Sequence, residues 1–174
     1  MRILILDNYD SFTYNLFHLL EAVAPSETII RVFRNDAISI EDASTFDKIV
    51  VSPGPGLPDD AGITKNLVQS LAGKKSILGV CLGHQAIGEV FGARLKNLSR
   101  VLHGVSLETR VLKKDYLFND CPMRFETGRY HSWVIDPDGL PGCLEITARD
   151  TQDNIMAVRH HIHDIRGIQF HPES

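Results

Sequence analysis

The sequence has 174 residues and a mass of 19.4 kDa, with 43% hydrophobic and 23% charged residues and a formal charge of -4. A chain of this size buries a core of its own, and the composition excludes a disordered tail or a low-complexity fibre. The slight acidic excess, without any Lys/Arg-rich run, excludes a nucleic-acid footprint, and no apolar stretch approaches the roughly 20 residues that span a bilayer. In chain order, the apolar run 3–6 reads as a strand, followed by Phe12, Leu16, Leu19, Leu20 and Val23 at helical spacing after the cap candidates Asp10 and Ser11. Runs 29–33 and 49–51 are further strands, Ile63, Leu67, Val68 and Leu71 repeat the helical pattern, and run 77–80 is a strand leading into a helix over 83–91. Continuously apolar runs suit strands covered on both faces.

Strand and helix alternating in this way predict a mostly parallel central sheet with helices on both faces, of flavodoxin-like type. Functional loops then lie at the carboxyl ends of the strands, after Leu6, Val51 and Val80. From about Val101 the texture changes. Val105, Leu107, Thr109 and Val111 alternate, and the short runs 144–147, 155–158 and 168–170 are separated by turn signals. This half is expected to be β-rich and partly antiparallel, extending the same sheet or forming a second one. With no repeat or linker visible, residues 1–174 read as a single domain.

Cys81, Cys121 and Cys143 are an odd number of thiols in a chain without a signal-peptide pattern, which points to a reducing compartment, the cytoplasm. Cys81 stands apart from the other two, which are expected to be structural. In Gly79-Val80-Cys81-Leu82-Gly83 it sits at the apex of a strand, sharp turn and helix. The flanking glycines suit a nucleophile elbow, where neighbouring backbone is crowded. The helix N-terminus supplies positive potential that favours a thiolate, and nearby N–H groups can hold an oxyanion. A buried cysteine in a tight turn accounts for the same pattern without chemistry.

A thiol nucleophile needs a base, and eight histidines, His18, His84, His103, His131, His160, His161, His163 and His171, compete for that role. His171 has a carboxylate two residues on, in His171-Pro172-Glu173. Pro172 favours an extended backbone, so Glu173 is expected to orient one ring nitrogen while the other faces Cys81. A surface His-Glu pair is the alternative, and His84, on the elbow's own helix, is the rival base. His160, His161 and His163 suggest a metal site, but a solvated turn between two strands explains them as well. The stiff loop 52–58, with Pro53-Gly54-Pro55-Gly56, lacks the Lys-Ser/Thr pair of a phosphate loop and suits oxyanion stabilisation better.

Taken together, Pro53-Gly54-Pro55-Gly56, Gly79 to Gln85 and His171-Pro172-Glu173 resemble the class I (triad) glutamine amidotransferases over essentially the whole chain. The segments Asp7 to Asn15 and Arg129-Tyr130-His131-Ser132 further resemble the small subunits of anthranilate synthase and aminodeoxychorismate synthase. The resemblance implies Cys81 as nucleophile, His171 as acid and base, and Glu173 as its orienting group. Oxyanion donors would come from Leu82 and the loop Gly54, Pro55 and Gly56, and Gln85, Ser132 and Trp133 would hold L-glutamine. It also implies no cofactor or metal in this subunit, and a separate chorismate-binding synthase subunit that carries magnesium and receives the ammonia for anthranilate or aminodeoxychorismate.

The sequence departs from that family pattern in two places. Trp133 stands where an aliphatic residue is common, and the chain stops at Ser174 without the family's usual C-terminal helix, so His171 and Glu173 are expected near an end prone to fraying. Three other readings share parts of the pattern: the same glutaminase serving another acceptor, a thiol peptidase or hydrolase of the same fold, and a non-catalytic flavodoxin-like binding module.

Overall fold

The computed structural model describes the backbone of residues 1–174 and the side chains of all but 99–103 and 105, so the readings on Val101, His103 and Val105 lie outside the described residues. Among the described residues thirteen α-helices and strands follow one another, with 3-10 turns at Pro58–Asp60 and Tyr116–Phe118: β1 (Arg2–Asp7), α1 (Thr13–Val23), β2 (Ile29–Arg34), α2 (Ile40–Ala43), β3 (Lys48–Val51), α3 (Thr64–Leu71), β4 (Ser76–Val80), α4 (Leu82–Val90), β5 (Leu95–Val111), β6 (Arg124–Ile135), β7 (Leu144–Asp150), β8 (Ile155–His160) and β9 (Ile165–Ile168). Among the described residues the nine strands form one sheet in the order β2-β1-β3-β4-β9-β8-β7-β5-β6. Strands β2, β1, β3, β4 and β9 are mutually parallel; β8, β7, β5 and β6 continue antiparallel.

Continuously apolar strands form here because both faces of the parallel part are covered. Ile3 and Ile5 of β1 pack with Leu16 of α1, whereas Leu4 and Leu6 pack with Leu67 of α3 and Ile87 of α4. Each such side chain contributes roughly 1.5–3 kcal/mol by leaving water. Register then aligns the strand ends, with Leu6 beside Val51, Val51 beside Gly79 and Val80 beside Ile168. The chain therefore leaves β1, β3, β4 and β9 at one edge of the sheet, and the loops that follow them converge. No helix among the described residues is long and apolar enough to cross a membrane.

Several expectations need correction. Strand β2 is an edge strand with exposed Ile29 and Phe33, not one covered on both faces. Helix α1 starts at Thr13 with Phe12 in the cap position; Asp10 instead turns its carboxylate to the Phe12 N–H, 3.1 Å away. The short helix α2 escaped the periodicity because it makes one turn; Ser39 caps it by accepting from the Asp42 N–H. The second half extends the same sheet. Its last strand, β9, spans Ile165–Ile168 rather than 168–170 and returns to the centre beside β4. Strand β6 was not anticipated at all, since its inward residues Thr127, Arg129 and His131 are polar and hide the alternation.

Candidate active site

Cys81 joins β4 to α4 with φ +52° and ψ -102°, a conformation that side-chain-bearing residues rarely adopt. Its N–H donates to the Ile168 carbonyl (2.8 Å) and its carbonyl accepts from the Gln85 N–H (3.0 Å), so the apex is held from both sides. The flanking glycines are required by contact. A Cβ on Gly79 would strike the Gly83 carbonyl, and one on Gly83 would lie 2.5 Å from the Val51 oxygen. The elbow therefore follows from close backbone packing between β3, β4 and α4.

Strand β9 ends at Ile168, and the chain bends so that the His171 ring lies against Tyr130 (centroids 5.0 Å apart) and Phe12 (6.2 Å). Its Nδ1 is 2.8 Å from Glu173 Oε1. The expected pairing holds, but through a turn at Pro172 and Glu173 rather than an extended backbone, with the Ser174 N–H reaching the His171 carbonyl (3.4 Å). Both side chains are buried, 3% and 0% exposed. With Nδ1 engaged by Glu173, Nε2 is left for Cys81, and no other described residue bonds to it. Burial opposes charge on this ring, yet the hydrogen bonds and charge of Cys81 and Glu173 outweigh it and push the His171 pKa up to about 10.

The loop after β3 is fastened by Asn8. Its N–H donates to Ser52 Oγ (2.9 Å), its amide nitrogen to the Ser52 carbonyl (3.0 Å), and its amide oxygen accepts from Asn35 and Thr64. Gly54 packs so closely on Asn8 that a Cβ would lie 2.6 Å from the Asn8 oxygen. Lys65 then ties the following 3-10 turn to α4, bonding Asp59 (2.6 Å) and Glu89 (3.0 Å). Asn8 lies in the Asp7 to Asn15 segment that carried part of the resemblance, but its fastening of this loop was not anticipated, and Lys65 did not stand out in the sequence.

Cys81 opens onto two clefts. One is shared with His171 and lined by Tyr9, Asp10, Phe12, Pro53 and Tyr130. Burial there pushes the Asp10 carboxyl up. The other brings together Gly54, Pro55, Gly56, Leu82, Gln85, Ser132 and Trp133, all residues singled out from the sequence, with His131 added. The Gln85 amide nitrogen donates to the Trp133 carbonyl (2.8 Å).

Of the other histidines, His131 lines the second cleft, whereas His84, His160 and His163 line neither cleft. His84 is fully buried and packs on Gly167, so it is a packing residue, and burial pushes its pKa down to about 3. Burial, aided by Arg129, does the same to His131. His160 is not solvated as expected: it is buried, stacks on His163 (4.4 Å), and its Nδ1 accepts from the Ile162 and His163 N–H groups. Among the described residues no group of three His, Cys, Asp or Glu could hold a metal. Cys121 is exposed and Cys143 half-exposed, and neither lines a cleft at Cys81.

The profile of the family described as glutamine amidotransferase class-I matches residues 4–174. The chain is 43% identical to aminodeoxychorismate synthase component 2 of Klebsiella aerogenes, over 99% of this chain and 91% of that protein. It is 45% identical to anthranilate synthase component 2 of Lactococcus lactis, over 99% and 86% respectively. It also matches the bifunctional protein TrpGD of Thermotoga maritima at 43% identity, spanning only 29% of that longer protein. A solved glutamine amidotransferase from Thermotoga maritima shares the fold, with a TM-score of 0.76 at 14% identity over 99% of this chain and 76% of that one. On these matches the chain belongs to the class I glutamine amidotransferases.

Proposed function

We propose that this protein, as a single domain over residues 1–174, hydrolyses L-glutamine and passes the ammonia to a separate chorismate-binding synthase subunit that forms anthranilate or aminodeoxychorismate. The observation that carries the reading is that Cys81 shares one cleft with His171, whose ring is paired to buried Glu173, and opens on its other side onto the cleft lined by Gln85 and Trp133. In this mechanism the Cys81 sulfur attacks the side-chain amide carbon of glutamine held by Gln85, Ser132 and Trp133. The oxyanion is received by N–H groups of Leu82 and of the Gly54–Gly56 loop, in which Pro55 has none to offer. The charged His171 gives its proton to the departing nitrogen, so ammonia leaves and a γ-glutamyl thioester remains. Neutral His171, aligned by Glu173, then takes a proton from water as the oxygen attacks the thioester carbon. Glutamate departs and the Cys81 sulfur is regenerated.

These steps use proton transfer and a nucleophile alone, so we assign magnesium to the partner subunit and no cofactor to this one. Free ammonia is protonated in water, and direct transfer to a partner preserves its nucleophilicity. The relatives named as component 2 support such a partner. We place the protein in the cytoplasm, whose reducing conditions suit three free thiols including the exposed Cys121. Glutamine-dependent amination of chorismate, measured with each synthase subunit in turn, tests the assignment. Anthranilate or aminodeoxychorismate is the expected product. Glutamine consumption with an acceptor other than chorismate would overturn the partner while sparing the chemistry.

A further inference from the structure

The hydrogen bonds behind Cys81 form a relay whose polarity is set at one end. The Trp133 carbonyl oxygen can only accept, so the Gln85 atom 2.8 Å from it is the amide nitrogen. The same nitrogen lies 3.3 Å from the Gln169 side chain, and a donor there selects Gln169 Oε1 as its partner. The Gln169 amide nitrogen is thereby turned to Cys81 Sγ, 3.6 Å away. Flipping Gln169 would lose the bond from Gln85 and set a carbonyl oxygen against the sulfur. Gln169 is fully buried and Gln85 is 4% exposed, so burial leaves little water to replace these bonds. The backbone also holds Gln169 in place, its N–H donating to the Met156 carbonyl (2.9 Å) just beyond β9 and two residues before His171.

We propose that Gln169 is a catalytic hydrogen-bond donor to the Cys81 sulfur and that Gln85 is the positioning residue that fixes which atom of Gln169 faces it. The donor stabilises sulfur as an anion twice per turnover: before attack on the amide, and again when the thioester opens and sulfur leaves. The relay begins on β6, crosses α4 and ends beside β9, so the strand that supplies Ser132 and Trp133 to the cleft also orients the nucleophile's surroundings. This inference deepens the proposed reaction and rests on Cys81 being its nucleophile.

The test is the rate of Cys81 alkylation by iodoacetamide from pH 5 to 10, with peptide masses separating it from Cys121 and Cys143. The reagent requires no glutamine, so the result is independent of the substrate assignment. The other titratable groups around the sulfur, His171, Glu173, Asp10, His131, Tyr9 and Tyr130, are the same in every variant. Gln169→Leu is expected to slow Cys81 alkylation about tenfold at pH 7 and to move the midpoint of the profile to higher pH, with Cys121 unchanged as internal control. Gln169→Glu keeps the shape, so it decides the matter if the leucine variant does not fold; its carboxylate moves the midpoint further in the same direction. Gln85→Leu shows a smaller loss that does not add to that of Gln169→Leu. Wild-type rate and profile in the folded Gln169 variants would overturn the proposal.

Discussion

Cys81→Ala is expected to reduce glutamine hydrolysis at least ten-thousand-fold, roughly the loss seen when a covalent nucleophile is removed from a preassembled site. The expectation follows from how little else changes. The elbow is held by the Ile168 and Gln85 backbone bonds and by the packing of Gly79 and Gly83, none of which uses the sulfur. The variant therefore folds and keeps both clefts, and steady-state ammonia release separates lost chemistry from lost structure when paired with a melting curve. A second consequence concerns His171. Without the hydrogen bond and charge of Cys81, burial weighs more heavily and the His171 pKa falls from about 10, a change visible in the ring's NMR titration.

The stability of the wild type carries the same signature. A folded pKa raised above the unfolded value of 6.5 means that the charged ring stabilises the fold fully below pH 6.5 and that this contribution is lost as pH rises through about 10. Denaturation midpoints across that window should fall less in Cys81→Ala than in the wild type.

The second large effect is at Glu173. Its side chain is fully buried, Oε1 bonds His171, and Oε2 has no partner among the described residues, so the ring is the one described group its carboxylate bonds. Glu173→Gln keeps the shape but removes the charge that supports a protonated ring, and allows an amide N–H to face Nδ1 and select the wrong tautomer. A fall in kcat of about a hundredfold to ten-thousand-fold is expected. Because Glu173 does not line the cleft with Gln85 and Trp133, KM for glutamine should change little. A rise in KM at constant kcat would mean that the carboxylate acts on binding instead.

The parallel half of the fold was legible in the sequence because its strands are buried on both faces and read as unbroken apolar runs, as in Ile3 to Leu6. The same rule overstated β2, where an apolar run at the sheet edge leaves Ile29 and Phe33 exposed. Polar burial was the main obstacle elsewhere. Arg129 is fully buried against Thr109 and Met156, and with Thr127 and His131 it gives β6 an inward face that hydropathy takes for a loop. At the site, Cys81, His171 and Glu173 could be found because the elbow and the His-Pro-Glu segment carry local signatures. Gln169 could not, nor could the bonds that Asn8 makes, since each acts through partners far away in the chain that only the sheet brings near.

The most direct test of the account is the intact mass of the protein after exposure to an electrophilic glutamine analogue, followed by peptide mapping. A single adduct on Cys81, suppressed by added glutamine and absent from Cys81→Ala, is the predicted result. An adduct that persists in Cys81→Ala, or that glutamine does not suppress, would contradict the assignment of nucleophile and substrate on which the mechanism depends.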